Sequence, residues 1–184
     1  RKAELLQGHP IVEQMHWGGG TPTFLSDDQM SELMDHLRKR FNFSTDDSAD
    51  YSIEIDPREV RPNTLKLLRE IGFNRTSFGV QDLNEKVQQA VNRIQPESMI
   101  RKVMVEAREL GFRSINIDLI YGLPHQTQET FAETLDVIID MSPDRLSVFN
   151  YAHLPERFKP QRRIQEEDLP SPEEKLAILG NCIT

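Results

Sequence analysis

The tract EIGFNRTSFGV spans residues 70–80, and ELGFRSINIDL spans residues 109–119. Each reads as a helix exit running into a strand. A glycine in the left-handed region stops a helix, and the apolar residue behind it locks back onto the last turn. Alternating β-branched and polar residues then follow, as in a strand with one face buried. Two such joints predict successive βα units, which pack as a parallel sheet with right-handed crossovers.

Working outward, five apolar, β-branched runs recur, at 11–17, 51–56, 75–80, 114–121 and 145–151; the first alternates imperfectly. Ser26 to Gln29 form a capping box for a helix reaching about Phe41, with Met30, Leu33, Met34 and Leu37 on one face. Pro62 suits the first position of a helix carrying Leu65, Leu67, Leu68 and Ile71. Further helices are predicted at about 97–110 and 127–141.

Polar residues gather where the strands end: Gly18 to Thr21, Glu54 and Asp56, Gln81 and Asp82, Asp118 and Tyr121, Asn150 and Tyr151. Their spread over five strand ends favours the active-site rim of a barrel over the single switch point of an open sheet. The predicted fold is therefore α/β, an incomplete TIM-like (β/α) barrel of about five βα units forming one domain over residues 1–184. Both ends read as cut. Residues 1–6 resemble a helix tail, and Ser171-Pro172-Glu173-Glu174 launches a helix that no further strand follows. Open flanks at 11–17 and 145–151 would then recruit a second chain, so self-association is expected.

Composition narrows the function. Hydrophobic residues at 37% and charged residues at 28% fit a folded globular chain. No apolar run approaches the roughly 18 residues of a membrane span, and no signal peptide is expected. A net charge of −8 argues against a nucleic-acid partner. Cys182 is the only cysteine, which excludes an internal disulfide and suits a reducing, cytoplasmic setting. One thiolate holds neither an iron–sulfur cluster nor a zinc site. His9, His16, His36, His125 and His153 show no metal-ligand spacing, so surface or packing roles are expected.

Among the candidate site residues, Gly18, Gly19, Gly20 and Thr21 would let backbone amides approach a ligand closely. A tight turn is the commoner explanation of a bare glycine cluster, and the G-x-G-x-x-G spacing of a dinucleotide site is absent. Glu54 and Asp118 interrupt otherwise apolar strands, which points to function. Asp56 shares the side of Glu54, yet it precedes Pro57 and can simply close a turn. Gln81 offers an amide. Arg93 by itself reads as a solvated helix-end arginine, and Arg157, Lys159, Arg162 and Arg163 form a basic patch, usually a solvated face, that could also attract an anionic substrate.

Taken together, HWGGGTPTFL (16–25), SIEIDPREV (52–60), GFNRTSFGVQD (72–82), VNRIQ (91–95), NIDLIYGLP (116–124) and DRLSVFNYAHLP (144–155) are far more specific than any one tract. In this order the chain resembles the oxygen-independent coproporphyrinogen III oxidase family of the radical S-adenosylmethionine superfamily. The resemblance implies a partial or full βα barrel that binds S-adenosylmethionine, in two copies. It assigns cofactor contacts to Gly19, Gly20, Thr21, Glu54, Gln81, Arg93, Asp118 and Ala152, and no catalytic acid or base and no metal ligand. The superfamily's 4Fe–4S cluster sits on a C-x-x-x-C-x-x-C motif that this chain lacks, so these 184 residues alone are expected to be inactive. The implied reaction is oxidative decarboxylation of two propionates of coproporphyrinogen III, in haem biosynthesis. Two alternatives remain. A haem-chaperone-like branch shares GGGTP and DLIYGLP but carries GVQS where this chain has Gly79-Val80-Gln81-Asp82. A barrel hydrolase would use Glu54 and Asp118 as a carboxylate pair.

Overall fold

The computed structural model describes residues 10–183. The helix tail read at 1–6 and His9 lie outside them. Strands β1 (Ile11–Val12) and β3 (Asn42–Phe43) form a short parallel pair. Strands β2 (Gln14–Trp17), β4 (Asp50–Ile55), β5 (Arg75–Gln81), β6 (Ser114–Tyr121) and β7 (Arg145–Asn150) form a five-stranded sheet in that order. Pairing is parallel between β2 and β4, β4 and β5, and β6 and β7. The helices are α1 (Asp27–Arg38), α2 (Thr64–Glu70), α3 (Glu85–Ala90), α4 (Glu97–Glu109), α5 (Gln128–Asp140) and α6 (Pro172–Asn181). The α/β class and the parallel sheet are as the sequence predicts.

The chain forms two compact units. The first contains the described residues up to Phe78 together with Val103–Ile115. Period-two alternation on β4 buries Tyr51, Ile53 and Ile55 and leaves Ser52 and Glu54 on the opposite, half-exposed face. Met30 and Met34 of α1, Leu65 and Leu68 of α2, and Phe73 are buried in the same unit. Both helix exits form as read. Gly72 has φ 106° and Gly111 φ 78°, and the amides of Phe73 and Phe112 donate to Leu68 O and Ala107 O at 2.9 and 3.1 Å. Both phenylalanines are buried, which supplies the apolar lock.

The second unit contains Gly79–Lys102 and the described residues from Asn116 onward. On β6, Ile117 and Leu119 are buried while Asn116 and Asp118 take the other face. Phe131 and Ile138 of α5 and Ile178 of α6 complete its apolar interior. Capping boxes at Thr127/Thr130 and Ser171/Glu174 start these two helices.

Four details differ from the sequence reading. The 11–17 run breaks at Glu13, because its two halves pair with different strands. Helix α2 starts at Thr64 rather than Pro62: Asn63 adopts φ 69°, and the Thr64 amide donates to Arg61 O at 3.1 Å, closing a tight turn around Pro62. Leu33, expected on the buried face of α1, is 40% exposed. Helix α3 was not anticipated; the Asn84 side chain caps it by accepting from the amides of Lys86 and Val87.

Candidate functional site

In the first unit, β2 ends at Trp17, and the glycine tract turns directly over β4. Gly19 takes φ 83°, and its N–H donates to Glu54 Oε2 at 3.1 Å. Glu54 Oε1 lies 3.1 Å from His16 Nε2, and His16 Nδ1 lies 2.8 Å from Ser52 Oγ. A carboxylate only accepts, so Nε2 donates to Glu54, while Ser52 Oγ also lies 3.4 Å from Met15 O, to which it donates. A Cβ at Gly18 would sit 2.5 Å from His16 Nε2 and 2.6 Å from the Glu54 carboxyl carbon. A side chain at Gly18 would therefore have to displace the ends of His16 and Glu54.

The surface of this arrangement is open to a ligand. A Cβ at Gly20 would meet nothing within 4 Å. Thr21 precedes a 3₁₀ turn (Pro22–Phe24) but its hydroxyl makes no capping bond. The Glu54 side chain keeps 40% of its exposure, and each carboxylate oxygen has a second acceptor direction left. Glycine amides, a hydroxyl and a carboxylate at one strand end suit the amino, carboxylate and hydroxyl groups of S-adenosylmethionine. The iron–sulfur cluster does not fit: Cys182, at the end of α6, has its thiol pushed up by burial.

In the second unit, β5 ends in an unusual turn. Gln81 has φ 72°, and the Asp82 amide donates to Val80 O at 3.0 Å, a γ-turn with a left-handed centre. Arg93 is not simply a solvated helix-end residue: its Nη2 donates to Gly79 O at 2.8 Å. Gln81 and Arg93 thus meet at one backbone segment. On β6, Asp118 Oδ1 accepts from Asn116 Nδ2 at 2.7 Å, and Asn116 also donates to Ser147 Oγ at 3.0 Å. Ala152 lies beyond β7, exposed, with its carbonyl accepting from Gln161 Nε2 at 3.0 Å.

Asp56 belongs elsewhere. It is buried, and its oxygens accept from the backbone N–H, Nε and Nη2 of Arg58 at 3.0, 3.0 and 2.7 Å. It caps the turn Pro57–Glu59. His16 is the site residue that sequence reasoning missed; its only signal was its place two residues ahead of the glycine tract. A cavity of about 610 Å³, lined by Arg38, Phe41, Tyr51 and Arg69, opens beside the start of β4 rather than its end.

Each unit thus carries polar groups at its strand ends, the edge at which parallel α/β folds place their ligands. A sequence profile of the Radical SAM superfamily matches residues 1–138, and the chain belongs to that superfamily. The chain is 58% identical over 183 residues to an oxygen-independent coproporphyrinogen III oxidase of Pseudomonas aeruginosa, covering 97% of this chain and 40% of that protein. It is 57% identical over 172 residues to the protein of the same name from Escherichia coli, covering 94% and 37%. The solved structure of coproporphyrinogen III oxidase from Escherichia coli, described as a radical SAM enzyme, superposes with a TM-score of 0.93 at 55% identity, over 99% of this chain and 41% of that one. The chain thus spans about two fifths of the length of these relatives.

Proposed function

We propose that this chain is the cofactor-binding part of an enzyme that oxidatively decarboxylates two propionates of coproporphyrinogen III to vinyl groups, giving protoporphyrinogen IX in the cytoplasm. The cofactor reading rests on one observation: the glycine tract clasped by Glu54 through the Gly19 N–H at 3.1 Å, with an open, polar surface above it. The substrate follows from the names of the relatives at 57–58% identity.

When bound, S-adenosylmethionine supplies hydrogen-atom abstraction. The chain's own residues bind and orient it. Gly19, Gly20 and Thr21 offer backbone groups and a hydroxyl to its amino and carboxylate ends. Glu54 and Asp118 accept from ammonium or ribose hydroxyls, Arg93 pairs with a carboxylate, and Gln81 uses its amide both ways. Ala152 contributes backbone. Eight contacts shared between two copies of the cofactor is the reading the family resemblance favours. A 4Fe–4S cluster would take its cysteines from elsewhere than these 184 residues.

The test is product analysis by mass spectrometry after anaerobic reconstitution of the full-length enzyme with cluster, cofactor, reductant and coproporphyrinogen III. Loss of two carboxyl groups per porphyrinogen supports the oxidase. Uptake of haem without decarboxylation would favour a chaperone-like role instead.

A further inference from the structure

The left-handed γ-turn at Gln81 needs a cause. A residue with a side chain persists at positive φ only when its surroundings over-determine it. Here those surroundings are polar and buried. Asp82, Gln88, Gln95 and Gln126 are 1%, 4%, 0% and 3% exposed, although their residue types usually face water.

Their bonds converge on the backbone either side of Gln81. On the near side, Gln95 Nε2 donates to Gly79 O at 3.2 Å and to Val80 O at 2.9 Å. On the far side, the Asp82 carbonyl accepts from Gln88 Nε2 at 2.9 Å. The Asp82 carboxylate accepts from the Asn84 amide at 2.6 Å and the Thr134 hydroxyl at 3.1 Å on Oδ1, and from Gln126 Nε2 at 2.5 Å on Oδ2. Gln88 and Gln95 are clasped together: Gln88 Nε2 donates to Gln95 O at 2.9 Å, and the Gln95 amide donates to Gln88 Oε1 at 2.8 Å. Gln126 is braced in turn, its Oε1 accepting from the amides of Gly122 and Leu123.

The network therefore fixes residues 79, 80 and 82 and leaves the Gln81 side chain between them, half-exposed. Arg93 shares an anchor with it, since Gly79 O accepts from both Arg93 and Gln95. Gln95 Oε1 is buried with no hydrogen-bond partner among the described residues. The other half of this side chain, its amide nitrogen, pins the Gly79 and Val80 carbonyls just before Gln81.

We propose that Asp82 and Gln95, through this buried network, are positioning residues that set Gln81 and Arg93 for S-adenosylmethionine. This rests on the reading of those two as cofactor contacts. Neither Asp82 nor Gln95 touches the cofactor; each acts through the backbone between Gly79 and Asp82.

The experiment is a mutant cycle in the reconstituted full-length enzyme, reading S-adenosylmethionine affinity by calorimetry and folding by thermal melting. Asp82→Asn and Gln95→Met are each expected to weaken affinity about tenfold, as coupled neighbours do. In a Gln81→Ala, Arg93→Ala background, neither should weaken it further. Thr134→Val removes one bond to Asp82 and serves as the milder probe if Asp82→Asn fails to fold; the same dependence on background is expected. Native affinity in Asp82→Asn and Gln95→Met overturns the proposal. So do losses that persist undiminished in the double background, because a purely structural network would act regardless of Gln81 and Arg93. Native affinity in the Gln81→Ala, Arg93→Ala background by itself sinks the contact reading, and that result is separate from the other two.

Discussion

Gly18 packs against Glu54 so closely that a Cβ on the glycine would lie 2.6 Å from the carboxyl carbon. The glycine tract and the carboxylate are one device: Glu54 holds Gly19 by its N–H, and Gly18 makes room for the hold. Gly18→Ala is therefore expected to push the flexible ends of Glu54 and His16 aside and loosen the hold on Gly19, at little cost in stability. Cofactor affinity should fall in the full-length enzyme while its melting temperature stays near native. Unchanged affinity would show that the strand end has slack.

Gly20→Ala separates ligand approach from packing. A methyl group there meets nothing within 4 Å of the protein, so the fold should be unaffected. Affinity for S-adenosylmethionine should nevertheless drop, because the methyl occupies the space a ligand needs against the backbone. Calorimetry and melting on the same sample check this, and unchanged affinity would place the ligand elsewhere.

Asp56→Ala should do the reverse. Its carboxylate caps a turn and pairs with Arg58, so its removal is expected to cost about 0.5–2 kcal/mol of stability, as lost caps do. S-adenosylmethionine affinity should stay native. A selective loss of affinity would return Asp56 to the site.

Asp82 gives a pH dependence. Burial pushes its carboxyl up, against the opposing hydrogen bonds from Asn84, Gln126, Thr134 and Leu83. Between the ordinary carboxylate value of about 3.9 and the raised value, the folded chain keeps a proton that the unfolded chain has released. The Asp82 contribution to stability is therefore largest below that window and is lost as pH rises through it. The melting-temperature advantage of the native protein over Asp82→Asn should shrink from about pH 4 upward. An advantage that grows with pH would contradict the raised value.

Much of the fold was legible because it rests on local rules. Gly72 and Gly111 end helices for steric reasons that hold in any context, and Ser26 and Ser171 start them by satisfying free amides. Period-two alternation located β4 and β6 to within a residue. Most of what escaped depended on partners distant in sequence. The break at Glu13 exists because Ile11 meets Asn42 while Gln14 meets Asp50. Pro62 suited a helix start, but Asn63 took the left-handed position and delayed it. At the candidate site, Glu54 and Asp118 stood out as polar residues within apolar runs and Gln81 as an amide at a strand end, whereas Arg93 entered only through the family resemblance. His16 did not stand out, since a lone histidine on a strand is usually packing. Gln88, Gln95 and Gln126 read as solvated polar residues, and only the fold reveals that they are buried around Asp82.

The measurement that bears most directly on the account is S-adenosylmethionine affinity in the anaerobically reconstituted full-length enzyme, by calorimetry, for the native protein, Glu54→Ala and Asp118→Ala. Each substitution removes a charged acceptor worth roughly 1.5–3 kcal/mol, so affinity should fall about ten- to hundredfold while each variant still melts cooperatively. Native affinity in both variants would contradict the assignment of these strand ends as the cofactor site.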